Sequence, residues 1–166
     1  MYRPRLKPID YEQARLRMAD LCSRSEQCES DIMDKLIRYG QPRVDAERII
    51  AFLYEHGFLN EERYVRAFVN DKIRFNHWGL RKIALALSMK KIPGELISRI
   101  VGEIDYDEYI RIAERVCEVK SRKYDLGKYE DRVKLFRSMA SCGFSSDEIV
   151  KVIDKVRKKQ GNEEVD

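Results

Sequence analysis

Three times along the chain, a stretch with helical apolar spacing closes on a short stop, crosses a loop and reopens as a second apolar helix. Leu36-Ile37-Arg38-Tyr39-Gly40 leads to Ile49-Ile50-x-x-Leu53, and Leu87-Ser88-Met89-Lys90-Lys91 leads through Ile92-Pro93 to Leu96-Ile97-x-x-Ile100. Met139-Ala140-Ser141-Cys142-Gly143 leads in the same way to Ile149-Val150-x-x-Ile153. The stops Gly40, Lys91 and Gly143 lie 51 and 52 positions apart. A period of about 50 residues is the length of a three-helix unit, and units of that size have small cores and draw part of their stability from their neighbours. The expected fold is therefore all-α: three tandem three-helix repeats forming an elongated, curved array. The expected divisions are a basic tail over residues 1–8, modules over 9–57, 58–104 and 105–160, and a tail over 161–166.

Composition points the same way. The chain has no threonine, its four prolines (Pro4, Pro8, Pro42 and Pro93) all precede residue 94, and Leu, Lys, Arg, Glu and Ala dominate, a bias toward helix over sheet. Caps mark the individual helices. Asp10 with Gln13 opens the first, and the second begins between Ser25 and Ser30 and stops at Gly40. Asp45 is the expected cap of the third. Asn60 opens the fourth, with Glu61 and Glu62 complementing the positive end of the helix dipole. The loop Asn76-His77-Trp78-Gly79 precedes a fifth helix carrying Leu80, Ile83, Leu87 and Met89, and Pro93 is expected in the first turn of the sixth. Two longer helices are expected around 107–124 and 129–141. Ser145 and Glu148 form a capping box for a ninth, with Ile149, Val150, Ile153 and Val156 facing inward.

Several function classes are disfavoured. The longest apolar run, Ile49 to Tyr54, is far short of the roughly 20 residues a membrane helix needs. Arg3, Arg5, Lys7 and two prolines occupy the first ten residues with no apolar run behind them, so no signal peptide is expected and the location is cytoplasmic. Cys22, Cys28, Cys117 and Cys142 show no C-x-x-C spacing, and only His56 and His77 could join them in a zinc site. Reduced, mostly buried thiols are expected, with no metal and no cofactor. His56 sits in a last helical turn, where a histidine interacts with the dipole or simply faces solvent, and His77 is expected at the surface. Motifs of phosphate-binding loops, zinc peptidases and serine hydrolases are absent. A non-enzymatic binding protein is the expectation.

Charge distribution says what such a protein would bind. With 33 Lys and Arg against 29 Asp and Glu the net charge is only +4. Between positions 63 and 91, however, Arg63, Arg66, Lys72, Arg74, Arg81, Lys82, Lys90 and Lys91 face a single acid, Asp71, for a local charge of +7. Arg63, Arg66, Asn70 and Arg74 climb one side of the fourth helix opposite Tyr64, Phe68 and Val69, and Phe75, His77 and Trp78 lie in the same window. Phe75 and Trp78 are expected at or beside the basic surface. Such a face is the footprint of a polyanion, either a nucleic-acid backbone or an acidic protein surface. The alternative is neutralisation by acids of neighbouring modules, such as Glu55 or Glu95. The window shows no Asn, Gln and Arg cluster suited to base edges, so sequence-specific reading is not expected.

The run His56-Gly57-Phe58-Leu59-Asn60-Glu61-Glu62-Arg63-Tyr64-Val65-Arg66-Ala67-Phe68-Val69 resembles the signature of the RecX family of recombinase regulators. The resemblance continues through Asn70-Asp71-Lys72-Ile73-Arg74, Trp78-Gly79-Leu80-Arg81-Lys82-Ile83 and Leu87-x-x-Lys90-Lys91-Ile92. It covers the whole middle module, and the flanking modules fit by pattern. Asn60 stands where the family has Asp, Leu80 where Pro is frequent, and Lys91 where Gly is common. The resemblance implies tandem three-helix repeats and binding to the RecA recombinase and its filament on single-stranded DNA, with damping of ATPase and strand exchange. It also implies some DNA binding; backbone contacts to single-stranded or double-stranded DNA, by a monomer, are the expectation here. The residues expected to carry partner or DNA binding are Arg63, Arg66, Lys72, Arg74, Trp78, Arg81, Lys82, Lys90 and Lys91. A generic nucleic-acid-binding helical module without a recombinase partner is the competing reading.

Overall fold

The computed structural model describes residues 6–163, with side chains through 159. The proposed tails therefore fall partly outside the described residues: 1–5 at one end and 164–166 at the other. Among the described residues there are nine helices and no strand. They are α1 (Tyr11–Arg24), α2 (Glu29–Arg38), α3 (Arg43–Glu55), α4 (Glu61–Arg74), α5 (Leu80–Met89), α6 (Gly94–Gly102), α7 (Tyr106–Ser121), α8 (Tyr129–Ser141) and α9 (Ser146–Glu163). Asp10 caps α1 by accepting the Gln13 N–H at 2.8 Å, and Asn60 caps α4 by accepting the Arg63 N–H at 2.9 Å. The capping box of α9 is closed in both directions, by Ser145 N–H on Glu148 Oε2 at 2.8 Å and Glu148 N–H on Ser145 Oγ at 3.3 Å.

The repeat is written in the backbone. Gly40, Lys91 and Gly143 all carry positive φ, at 81°, 64° and 97°. Each ends the second helix of its unit in the left-handed conformation that halts a helix and turns the chain. Equivalent stops one period apart share one geometry, although only two of them are glycine.

Four local expectations shift by a turn or less. Pro42, whose ring fixes φ, occupies the N-cap of α3, so Asp45 lies inside its first turn and complements the dipole rather than capping. Pro93 immediately precedes α6 instead of lying within it. Val150 is exposed because the inward stripe of α9 is Ile149, Val152, Ile153 and Val156, the i, i+3, i+4, i+7 set that Val150 misses by one position. Met89, at the end of α5, is exposed for the same reason: Ile83 and Leu87 carry the buried face.

Packing groups the described residues into two compact units. The first runs through Ala67 and takes in Met89–Pro93, and the second comprises Phe68–Ser88 and the chain from Gly94 onward. The boundary falls inside α4: Tyr64 and Val65 are buried in the first unit, Val69 and Ile73 in the second. The core of the first unit is built on Ala14, Met18, Ile32, Leu36, Ile49 and Leu53. Gln41, the buried polar residue of its α2–α3 turn, donates from Nε2 to the Ile9 carbonyl at 2.6 Å.

In the second unit α7 packs most extensively on α9. Ile112, Ala113, Val116 and Cys117 of α7 are buried, as are Leu135 and Met139 of α8 and Val152 and Val156 of α9. Ion pairs from Lys155 to Glu114 and from Lys159 to Glu118 tie α9 to α7 at the rim. Three of the four cysteines, Cys22, Cys28 and Cys117, are buried and Cys142 is half-buried, all as free thiols. Burial pushes the Cys22 and Cys117 thiols up to about 11, which suits packing rather than reactivity.

Candidate functional site

The loop between α4 and α5 is locked in the second unit by backbone alone. Gly79 N–H donates to the Cys142 carbonyl at 2.8 Å, and Arg81 N–H to the Gly143 carbonyl at 3.2 Å. The two chain segments meet at two glycines. A Cβ added to Gly79 would lie 2.2 Å from Gly143 C and Phe144 N, and one added to Gly143 would lie 2.3 Å from Lys82 Cβ. Behind this contact Tyr109 is buried. Its hydroxyl accepts the Leu80 N–H at 3.3 Å and donates to Glu148 Oε2 at 3.0 Å, the oxygen that also takes the Ser145 N–H. One buried phenol thus links the start of α5, the body of α7 and the cap of α9.

What this locked loop displays is cationic and aromatic. The Trp78 N–H donates to the Lys72 carbonyl at 2.9 Å. Over the Trp78 ring stand two ammonium groups, Lys72 Nζ at 5.0 Å and Lys82 Nζ at 4.4 Å from the centroid. Lys72 also lies 5.2 Å from the Phe68 ring and 3.3 Å from Asn76 Oδ1. Ring faces are electron-rich, so they hold cations without neutralising them. Arg81 is exposed with no side-chain partner among the described residues, and Phe75 is 76% exposed. His77 is exposed with a φ of 56°, and His56 is exposed with Nδ1 2.9 Å from the Phe52 carbonyl.

The first turn of α5 is anomalous. Each of the other eight described helices has Asp or Glu in its first turn. α5 has none, and carries Arg81 and Lys82 there instead. Cations at the positive end of a helix dipole oppose folding by a few tenths to about 1 kcal/mol. The backbone donors around that end are occupied by carbonyls and by Tyr109, so the side chains hold the free positive charge.

Of the nine residues expected to bind, the second unit brings together Lys72, Arg74, Trp78, Arg81 and Lys82. Arg74 is paired with Glu108 of α7 at 3.1 Å. In the first unit Arg63 is occupied by Glu26 at 2.9 Å and by the Gly57 carbonyl at 3.1 and 3.2 Å, so it fastens the end of α3. Arg66 grips Glu62 one turn earlier at 2.7 and 3.0 Å. Lys90 is paired with Asp31 of α2, while Lys91 is exposed at the mouth of a cleft shared with Glu29 and Glu61. Neutralisation does occur in this window, through Glu26, Asp31, Glu62 and Glu108 rather than Glu55 or Glu95. Lys72, Arg81, Lys82 and Lys91 have no carboxylate partner among the described residues.

Sequence reasoning passed over two arginines of α7, Arg111 and Arg115, and Arg122 at its C-cap. Arg111, Arg115 and Arg122 share a face at spacings of four and seven, all exposed and without carboxylate partners among the described residues. In the sequence their charge is masked by Glu108, Glu114 and Glu118. In the structure those acids are committed to Arg74, Lys155 and Lys159. The i, i+4 rhythm was the available signal. Among the described residues no group of three or more His, Cys, Asp or Glu could hold a metal ion, and no helix is long and apolar enough to cross a membrane.

A repeated three-helix scaffold displaying an unneutralised cationic and aromatic loop defines a helical-repeat protein. The family described as "RecX, second three-helix domain" matches residues 60–99. A regulatory protein RecX of Pectobacterium atrosepticum is 31% identical over 142 residues, covering 84% of this chain and 85% of that protein. One of Clostridium perfringens (strain SM101) is 30% identical over 122 residues, 72% of this chain, and the chain spans 57% of that relative's length. The crystal structure of RecX from Lactobacillus salivarius matches with a TM-score of 0.77 at 19% identity, over 89% of this chain and 96% of that one. A second crystal structure of a regulatory protein RecX matches at 0.75 and 24% identity, over 87% and 73%. At these identities the two structures attest the fold. The chain belongs to the RecX family of regulatory proteins.

Proposed function

We propose that the chain binds the RecA recombinase and its filament on single-stranded DNA, and lowers the ATPase and strand-exchange activity of that filament. It acts in the cytoplasm as a monomer, by occupancy and without catalysis of its own. Its three repeats, 9–57, 58–104 and 105–160, are the functional modules, and the middle one presents the phosphate-facing cations. The observation that carries this reading is the first turn of α5. Arg81 and Lys82 stand at the one described helix start without an acid, in a position that folding alone disfavours. Membership of a family of regulatory proteins supports a protein partner, and RecA is the partner in this proposal. Lys72, Arg81 and Lys82 have no carboxylate partner among the described residues and are open to phosphates, where Lys and Arg give affinity without reading sequence.

The test is a charge reversal chosen from the structure. Arg81→Glu with Lys82→Glu removes two cations and adds two anions; Arg74 is left in place because reversing it would set a carboxylate against Glu108. The control reverses Arg157 and Lys158 of α9, which are exposed, and spares Lys155 because it anchors Glu114. Expected are an unchanged helical spectrum for both variants, a loss of at least about tenfold in single-strand affinity for the first only, and weaker inhibition of RecA turnover. If the α5 variant kept full inhibition while the control lost it, the working surface would lie elsewhere. Lost DNA binding with no RecA effect in the wild type would leave the nucleic-acid module without a recombinase partner.

A further inference from the structure

The cationic loop has a neighbour of different character in the second unit. Ile112, Val116 and Val119 of α7 floor a cleft of about 270 Å³, with His77, Arg115 and Lys120 around its mouth. Ile112 and Val116 are buried beneath it, and Val119, 58% exposed, is the part of the floor open to solvent. No carboxylate lines it, because the acids of α7 are held by Arg74, Lys155 and Lys159. Arg115 has no partner among the described residues, and Lys120 donates only to the Ser138 hydroxyl at 3.0 Å. Two residues before His77, Phe75 is exposed and makes no ring contact among the described residues.

We propose that this cleft seats one unpaired base of a single-stranded nucleic acid, with the adjoining phosphates on Arg115 and Lys120 and a neighbouring base against Phe75. The inference deepens the nucleic-acid reading above and rests on it. The chemistry is specific to that ligand. A base offers a flat face that an apolar floor can cover, joined to a phosphate that the Arg115 and Lys120 cations of a carboxylate-free rim attract. The cleft is smaller than the roughly 300–1,000 Å³ of pockets that take drug-sized molecules, so it holds one ring system and not a helix or a folded peptide segment. In a duplex the bases are stacked inward and cannot reach the floor, so the cleft favours single strands. Phosphate contacts alone would not make that distinction.

Three fluorescent probes of equal length test it: oligothymidylate, an abasic oligomer with the same phosphates and no bases, and a duplex. The wild-type chain is expected to bind oligothymidylate at least about fivefold more tightly than the abasic oligomer, since one stacked base is worth that or more. Val119→Asn makes the floor polar without changing charge, and should bring the ratio close to one while leaving abasic binding unaltered. Val119→Ser repeats the test with less bulk, and Arg115→Ala should weaken both probes together. Because Val119 is exposed, these variants should keep the wild-type helical spectrum and melting temperature. Equal wild-type affinity for the thymidine and abasic probes, or a ratio that survives both Val119 variants, overturns the cleft and leaves the phosphate surface standing. Failure of the wild type to bind any probe at low salt overturns the nucleic-acid reading itself, and the cleft falls with it.

Discussion

Lys91 holds a φ of 64° in a place where the other two repeats use glycine. An L-residue in the left-handed region costs on the order of 1 kcal/mol that glycine does not incur, and the common glycine of the family at this position is explained by that geometry. Lys91→Gly is therefore expected to raise stability in urea by about 1 kcal/mol while lowering affinity for single-stranded DNA. A stability loss would mean that the ammonium group contributes more to the fold than its backbone costs. Tyr109 poses the opposite case. Removing its hydroxyl leaves a buried Glu148 short of a donor and the Leu80 N–H short of an acceptor, so Tyr109→Phe should destabilise by about 1–3 kcal/mol. Burial also pushes the phenols of Tyr64 and Tyr109 above their ordinary 10.0. The folded chain then holds these protons more tightly than the unfolded one, so their contribution is complete below pH 10 and declines as pH rises past it. In an alkaline titration their tyrosinate absorbance should appear only as helix is lost. Ionisation of all nine tyrosines as one class near pH 10, with helix intact, would contradict this. The residue scale also shows where sequence reading stops. Glu26 and Glu108 lie 37 and 34 positions from the arginines they neutralise, and no local window reveals such pairs.

At the scale of elements the sequence was most legible where a single side chain decides the outcome. Asp10, Asn60 and the Ser145–Glu148 box each start a helix where their chemistry says one should start, because a cap satisfies backbone donors within its own turn. Proline was less legible. Both Pro42 and Pro93 fix an entry angle, and whether they sit just before or just inside the helix depends on a single dihedral. The crossing at Gly79 and Gly143 could not be read in advance at all. Glycine in a loop and glycine after a helix each have an ordinary local reason to exist, and that the two touch is a tertiary fact. Gly79→Ala, and Gly143→Ala even more because its φ is also positive, should destabilise by about 3 kcal/mol or more. The loss should appear in thermal melts of the whole chain. A neutral outcome at both positions would mean that the α4–α5 loop stands off from the α8–α9 turn.

For the whole molecule, the period of about 50 residues carried the architecture, since it fixes the number of helices and their order. It did not carry the packing, which divides the chain inside α4 because successive turns of that helix bury in different units. Net charge was similarly incomplete. Four of the eight cations in the basic window are matched by acids from outside it, while α7 and its C-cap contribute three arginines that composition had concealed. The surface that remains free predicts a particular salt response. Reversal of Arg81 and Lys82 should flatten the log-log salt dependence of single-strand binding by about 1.4, the slope expected for two lost phosphate contacts, whereas the α9 control should leave it unchanged.

The tryptophan beneath two ammonium groups has one more consequence. A solvated lysine forfeits up to about 2 kcal/mol of rotamer freedom when it grips an anion. Lys72 and Lys82 are already steadied against Trp78, so much of that disorder is gone before any partner arrives. Trp78→Leu keeps an apolar side chain and every charge but frees both lysine chains. It should weaken binding by a few fold, with calorimetry placing the change in a less favourable entropy and leaving the salt slope as it was. Indole here acts as a splint for its neighbours' motion, without itself having to touch what they hold.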